Sequence, residues 1–104
     1  MENNNVLDRL SRLAFEDKCR EYINNVWKLL PMWEKGEDWQ KAAQTIVFEL
    51  RGLEEVVYGD FKKESRIISI YAKLEGLLKN TEFYWHRKTI FEVIGLIEEL
   101  RDSD

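Results

Sequence analysis

The chain holds one cysteine, Cys19, and one histidine, His86, the two side chains best suited to nucleophilic or acid–base work at neutral pH. Cys19 falls on the apolar stripe of a helix, where a thiol is expected to be buried and inert. His86 lies near the inner face of the last helix and reads as a hydrogen-bonded boundary residue. Two carboxylate pairs, Glu54-Glu55 and Glu98-Glu99, are adjacent in sequence and therefore point to different sides of a helix. They make no acid–base dyad. A metal site needs several His, Cys, Asp or Glu ligands converging. A di-iron bundle would carry Glu-x-x-His on its helices, and the residue three before His86 is Phe83. No glycine-rich phosphate loop follows a strand. The sequence therefore predicts no catalytic residue, no metal and no cofactor.

The elements that would position these side chains are all helical. Trp39, Ala42, Ala43, Ile46, Leu50, Leu53 and Val57 recur at three- and four-residue spacing, which places them on one stripe of a helix. No stretch alternates as a half-buried strand would. Asn5 and Asp8 open a short first helix bearing Val6, Leu7, Leu10, Leu13 and Ala14. The phase slips near Phe15-Glu16-Asp17, which predicts a break. Phe15, Cys19, Tyr22, Ile23, Val26, Leu30 and Trp33 form the next stripe, and Pro31 is expected to end that helix at Leu29 or Leu30. Gly36, Glu37 and Asp38 form a turn with Asp38 as cap. Gly59 and Asp60 form the next stop and start, and Asn80 and Thr81 the last. Helices are expected at about 5–15, 17–30, 38–58, 60–79 and 82–101. Short connections make neighbours antiparallel, so the expected fold is all-α, one domain over 1–104: an up-down four-helix bundle with a short extra N-terminal helix.

A faint repeat runs through this pattern. Thr45-Ile46-Val47-Phe48-Glu49-Leu50-Arg51-Gly52-Leu53 parallels Thr89-Ile90-Phe91-Glu92-Val93-Ile94-Gly95-Leu96, and each follows a helix-opening tryptophan, Trp39 or Trp85. Two pseudo-repeated helical hairpins would produce it.

With 104 residues and a net charge of −4, the chain can close one core and is a poor nonspecific binder of nucleic acid. No run is long and apolar enough to span a bilayer, no secretory signal opens the chain, and a lone cysteine suits a reducing cytoplasm. Residues 34–60 hold seven acids and three bases, whereas residues 61–88 hold seven bases and three acids. Residues 92–104 hold five acids beside Arg101. These segments are expected to pair across the bundle as solvated helix faces.

In an up-down bundle Trp27, Met32, Trp33, Trp39, Phe83, Tyr84 and Trp85 gather at one pole. Trp27, Trp39 and Phe83 lie on stripes and are expected inside; Trp33, Tyr84 and Trp85 are expected outside. Together with Glu34, Glu37 and Asp38, the exposed three form a candidate partner-binding site of aromatic anchors with an acidic rim. A possible second interface comprises Phe48 and Gly52 on one helix and Phe91 and Gly95 on another, lying off the core stripes. A mid-helix glycine costs about 1 kcal/mol against alanine and asks for a reason, such as close approach of another backbone.

The opening Trp39 with Ala42 and Ala43, Glu49 on the same helix, Tyr71, and Trp85 at the start of the last helix form a pattern. In these features the stretch from about Leu30 to Ile97 resembles the small all-helical immunity proteins that bacteria encode beside toxins. The resemblance implies a noncatalytic bacterial protein of the cytoplasm that neutralises a toxin by occlusion, with acidic side chains meeting a basic active site. The partner expected on this reading is another protein, a basic toxin domain, with neither nucleic acid nor membrane. The alternative is a structural or adaptor subunit that acts through self-association as a homodimer.

Overall fold

A computed structural model of the chain describes residues 12–79 and 82–103, with the side chain of Phe83 left aside. Within these residues four helices follow one another: α1 (Arg12–Glu34), α2 (Trp39–Val56), α3 (Phe61–Leu78) and α4 (Phe83–Asp102). Each packs along its sequence neighbours, and α4 closes the ring against α1. The result is the expected up-down four-helix bundle, and no strand occurs among the described residues. The N-terminal helix expected over 5–15 lies mostly outside the described residues. The break expected at Phe15-Glu16-Asp17 is not there, because α1 runs unbroken from Arg12. Phe15 is buried and already in phase with Cys19 and Tyr22, so the apparent slip is only the end of one apolar run.

The core is built from the predicted stripes. Cys19, Val26, Leu29, Leu50, Ile67, Ile70, Leu74, Ile90, Ile97 and Leu100 are all fully buried. One stripe differs by one residue from the sequence reading: Leu29 is fully buried where Leu30 was expected.

Pro31 does not end α1, which continues to Glu34. A proline lacks the N–H that would reach the carbonyl four residues back, a loss a packed helix can absorb. The stop comes one turn later, at Gly36, whose φ of 72° is the left-handed value that favours glycine. The Glu37 N–H donates to the Met32 carbonyl at 2.8 Å and the Gly36 N–H to the Trp33 carbonyl at 3.2 Å, the two bonds of a Schellman ending. Asp38 then caps α2, its Oδ1 accepting from the Lys41 N–H at 3.1 Å. Asp60 caps α3 in the same way from Lys63, and the Glu64 carboxylate accepts from the Gly59 N–H at 2.7 Å.

The charged segments pair as expected between α3 and α4, while between α2 and α3 the signs are reversed. Arg51 meets Glu75 across α2 and α3 at 2.6 Å, and Arg66 and Lys73 on α3 meet Glu99 and Glu92 on α4 at 3.0 and 3.4 Å. These pairs are solvent-exposed, so they set the register of neighbouring helices more than they stabilise them. The energy lies in the core. Leu50→Ala is expected to cost about 2–5 kcal/mol, since it leaves a cavity where a fully buried side chain stood. Urea unfolding checks this, and a loss under about 0.5 kcal/mol would place the α2 stripe in solvent.

Candidate functional site

The loop pole is organised around His86, in the first turns of α4. Its side chain is 0% exposed. Trp33, past the proline on α1, stacks on the imidazole at 5.1 Å with 24° between the planes. Trp39, the first residue of α2, meets it edge-on at 4.6 Å and 85°. Among the described residues neither ring nitrogen has a hydrogen-bond partner. This corrects the expectation of a hydrogen-bonded boundary histidine: the imidazole is fully buried, with two indole rings against it. Burial pushes the His86 pKa below its ordinary 6.5, partly opposed by the nearby Leu29 carbonyl, which falls short of a full hydrogen bond.

The pole therefore divides into an inner and an outer set. Trp39 is buried as expected, while Trp33, expected outside, is half-buried against the histidine. Trp27, expected inside, is 41% exposed and meets Phe91 edge-to-face at 5.1 Å on the surface between α1 and α4. It sits one residue past Val26, which takes the core position. The third residue expected inside, Phe83, has its side chain outside the described set. Tyr84 and Trp85 point outward, 71% and 44% exposed. Trp85 leans toward α3, beside Gly76 and Leu77, with the Lys88 ammonium 5.0 Å over its ring. Glu34, Glu37 and Asp38 are exposed on the turn between α1 and α2. Asp38 has a structural duty there as the α2 cap, so its carboxylate is only partly available to a partner.

The second apolar surface is also on the outside. Phe48 is 77% and Phe91 43% exposed, and the guanidinium of Arg87 lies 5.1 Å over the Phe91 ring. A Cβ built on Gly52 or Gly95 would meet nothing within 4 Å. The expected close approach to these glycines is therefore not supplied by the described residues. Leu13, on the apolar stripe expected for the first helix, is itself exposed, and Leu7 and Leu10 of that stripe lie outside the described residues.

Sequence reasoning missed Tyr58 and Phe61, both about four-fifths exposed on either side of the Gly59-Asp60 turn. No sequence signal marks them, because both stand at helix ends beside the Gly59 stop, where periodicity no longer decides burial. Cys19 behaves as expected, fully buried, its thiol pushed up to about 11 chiefly by burial and so protonated at neutral pH. Among the described residues no group of His, Cys, Asp and Glu could hold a metal ion, and no helix is long and apolar enough to cross a membrane.

Compared with protein-family models, curated proteins and solved structures, the chain matches none of them. Its class rests on the geometry: a four-helix bundle with a sealed loop pole and exposed rings at that pole's rim.

The buried imidazole gives the fold an acid-sensitive component. With its folded pKa below 6.5, the unfolded chain binds a proton that the folded chain refuses. Stability from this group is complete above pH 6.5 and is lost as pH falls through 6.5 toward the folded value, with a limiting slope of about 1.4 kcal/mol per pH unit. Urea midpoints measured from pH 7.5 down to about 5, above the main carboxylate range, should decline for the native chain and stay level for His86→Leu. Parallel profiles would mean that the histidine already titrates freely in the folded state.

Proposed function

We propose that the chain is a noncatalytic protein-binding module of the cytoplasm, most concretely an immunity-type inhibitor that occludes a bacterial toxin. The observation that carries this reading is the pairing of Tyr84 and Trp85, large and exposed, with the carboxylates of Glu34 and Glu37 at one end of the bundle. Aromatic side chains held on rigid helix turns lose little entropy when a partner covers them, and such anchors carry most of the energy of many protein interfaces. The acidic turn favours a partner with a basic surface, speeding encounter and making association salt-sensitive. Inhibition would follow from occlusion: the rings dock beside a basic active site and the carboxylates occupy the place of its anionic substrate. Trp33 contributes mainly by holding the pole in shape, since half of it is spent on His86. A second reading, an adaptor acting through self-association, is favoured by the exposed Phe91 beside Gly95.

Co-expression with the product of the adjacent gene tests the first reading. Survival of cells that the neighbour alone kills supports it, and a neighbour that is harmless alone removes the toxin. Where a complex forms, Trp85→Ala should weaken it by about 2 kcal/mol or more, and Glu37→Lys should slow association and reduce its salt dependence. Melting temperatures should barely move, because both side chains are exposed. Unchanged affinity in both variants would move the binding surface away from the loop pole.

A further inference from the structure

The outer face of α4 carries a self-complementary order of residues. Tyr84, Arg87, Phe91, Gly95, Glu98 and Asp102 follow one another at three- and four-residue steps, so they form one stripe along the helix. The stripe is about 27 Å long at 1.5 Å per residue. All of these residues are exposed except Gly95, which is half-exposed. Basic and aromatic groups occupy the first half, the glycine and the acids the second. The hollow beside Gly95 is lined by Glu98, Glu99 and Asp102, with Arg66 as its only base.

We propose that this stripe is the contact surface of a two-fold homodimer in which α4 of one copy lies antiparallel on α4 of the other. A two-fold axis level with Val93 turns the stripe onto itself. Phe91 of each copy then stands over Gly95 of the other, Arg87 over Glu98, and the Tyr84 hydroxyl beside the carboxylate of Asp102. Lys88 and Glu99, which flank the stripe on the α3 side, face each other in the same register. Every pair is centred on Val93 to within half a residue, and residues paired by such an axis must lie on the same side of the helix, as these do.

Three further observations support the second copy as the occupant. The space over Gly95 is empty, with nothing within 4 Å of a Cβ built there, so a glycine that weakens its own helix has no purpose within the described residues. Phe91 is already propped from one side by Trp27 and from another by Arg87, which fixes it as a knob. Neither Arg87 nor Glu98 has an ion pair among the described residues, so the complementary charges are available. The sister pair on α2, Phe48 and Gly52, fails the same test. An axis midway between them would set Thr45 against Glu55 and Lys41 against Gly59, with no opposite charges meeting.

One helix face per copy is a small interface, so the dimer should be weak, with a dissociation constant in the micromolar range. Sedimentation of the full chain from about 1 µM to about 1 mM reads it directly. Arg87→Glu and Glu98→Arg should each raise the dissociation constant at least about 10-fold, because each change breaks two symmetry-related pairs and sets like charges together. Their combination should return it to within about 3-fold of the native value. Gly95→Leu should abolish association while leaving the melting temperature equal or higher, since leucine suits an exposed helix and fills only the notch. A chain that stays monomeric at about 1 mM overturns the proposal, as it would if residues 1–11 cover the stripe instead. A dimer indifferent to both charge reversals, or not recovered by the double change, overturns it equally. The variants leave the loop pole's Trp85 and Glu37 untouched, since both lie off the stripe, so failure here is distinguishable from failure of the loop-pole reading.

Discussion

A buried imidazole with no hydrogen-bond partner among the described residues ties together three helix ends, and the loop pole depends on it. His86 stands in the first turns of α4, Trp33 in the last turn of α1 and Trp39 at the first position of α2. The histidine is fully buried with both indoles packed against it. That requires α1 to continue beyond Pro31 far enough to deliver Trp33, and it requires α2 to start immediately after the turn. The Schellman ending at Gly36 and the Asp38 cap satisfy both conditions within four residues. An orphaned ring nitrogen costs stability that a leucine at the same place would not. The cost is offset by two ring contacts that no aliphatic side chain would make in the same geometry.

Much of this was legible in the sequence, and the misses share a cause. Periodicity located the core because burial is decided by phase along the helix, which the sequence states directly. It misplaced Trp27 because a tryptophan weighs heavily in an apolar stripe even when its phase is off by one residue. Val26 takes the inward position and leaves Trp27 to the surface. The proline was over-read for a related reason: its local cost is real, yet packing of the turn beyond it outweighs a single lost hydrogen bond. Glycine proved the better stop signal at both Gly36 and Gly59, because positive φ leaves few alternatives. The state of His86 could not be read at all, since it depends on two rings that arrive from other helices.

The surface was less legible than the core. Between α3 and α4 the exposed charges follow the segment bias, with α3 bases meeting α4 acids, whereas between α2 and α3 an arginine of the acidic segment meets a glutamate of the basic one. Which rings stay outside is a different matter, because a surface aromatic obeys no periodicity within its own chain. Tyr58 and Phe61 lie at the end opposite His86 and carry no such argument from their neighbours; nothing in the structure explains their exposure.

The two surfaces of α4 can work together because they diverge from one helix turn. Tyr84 belongs to the outer stripe, whereas Trp85, the next residue, turns about 100° toward α3. An antiparallel pairing through the stripe carries the two loop poles to opposite ends of the dimer. Each copy would keep Trp85 and its acidic turn open, and each would share only Tyr84 between the two contacts. A partner that needs Tyr84 would compete with the second copy, so raising its concentration would drive dimer into complexed monomer. A partner held by Trp85 and the carboxylates alone would meet a bivalent molecule with well-separated sites. The choice between these cases rests on one tyrosine, because among the described side chains of the proposed loop-pole site it alone also lies on the two-fold stripe.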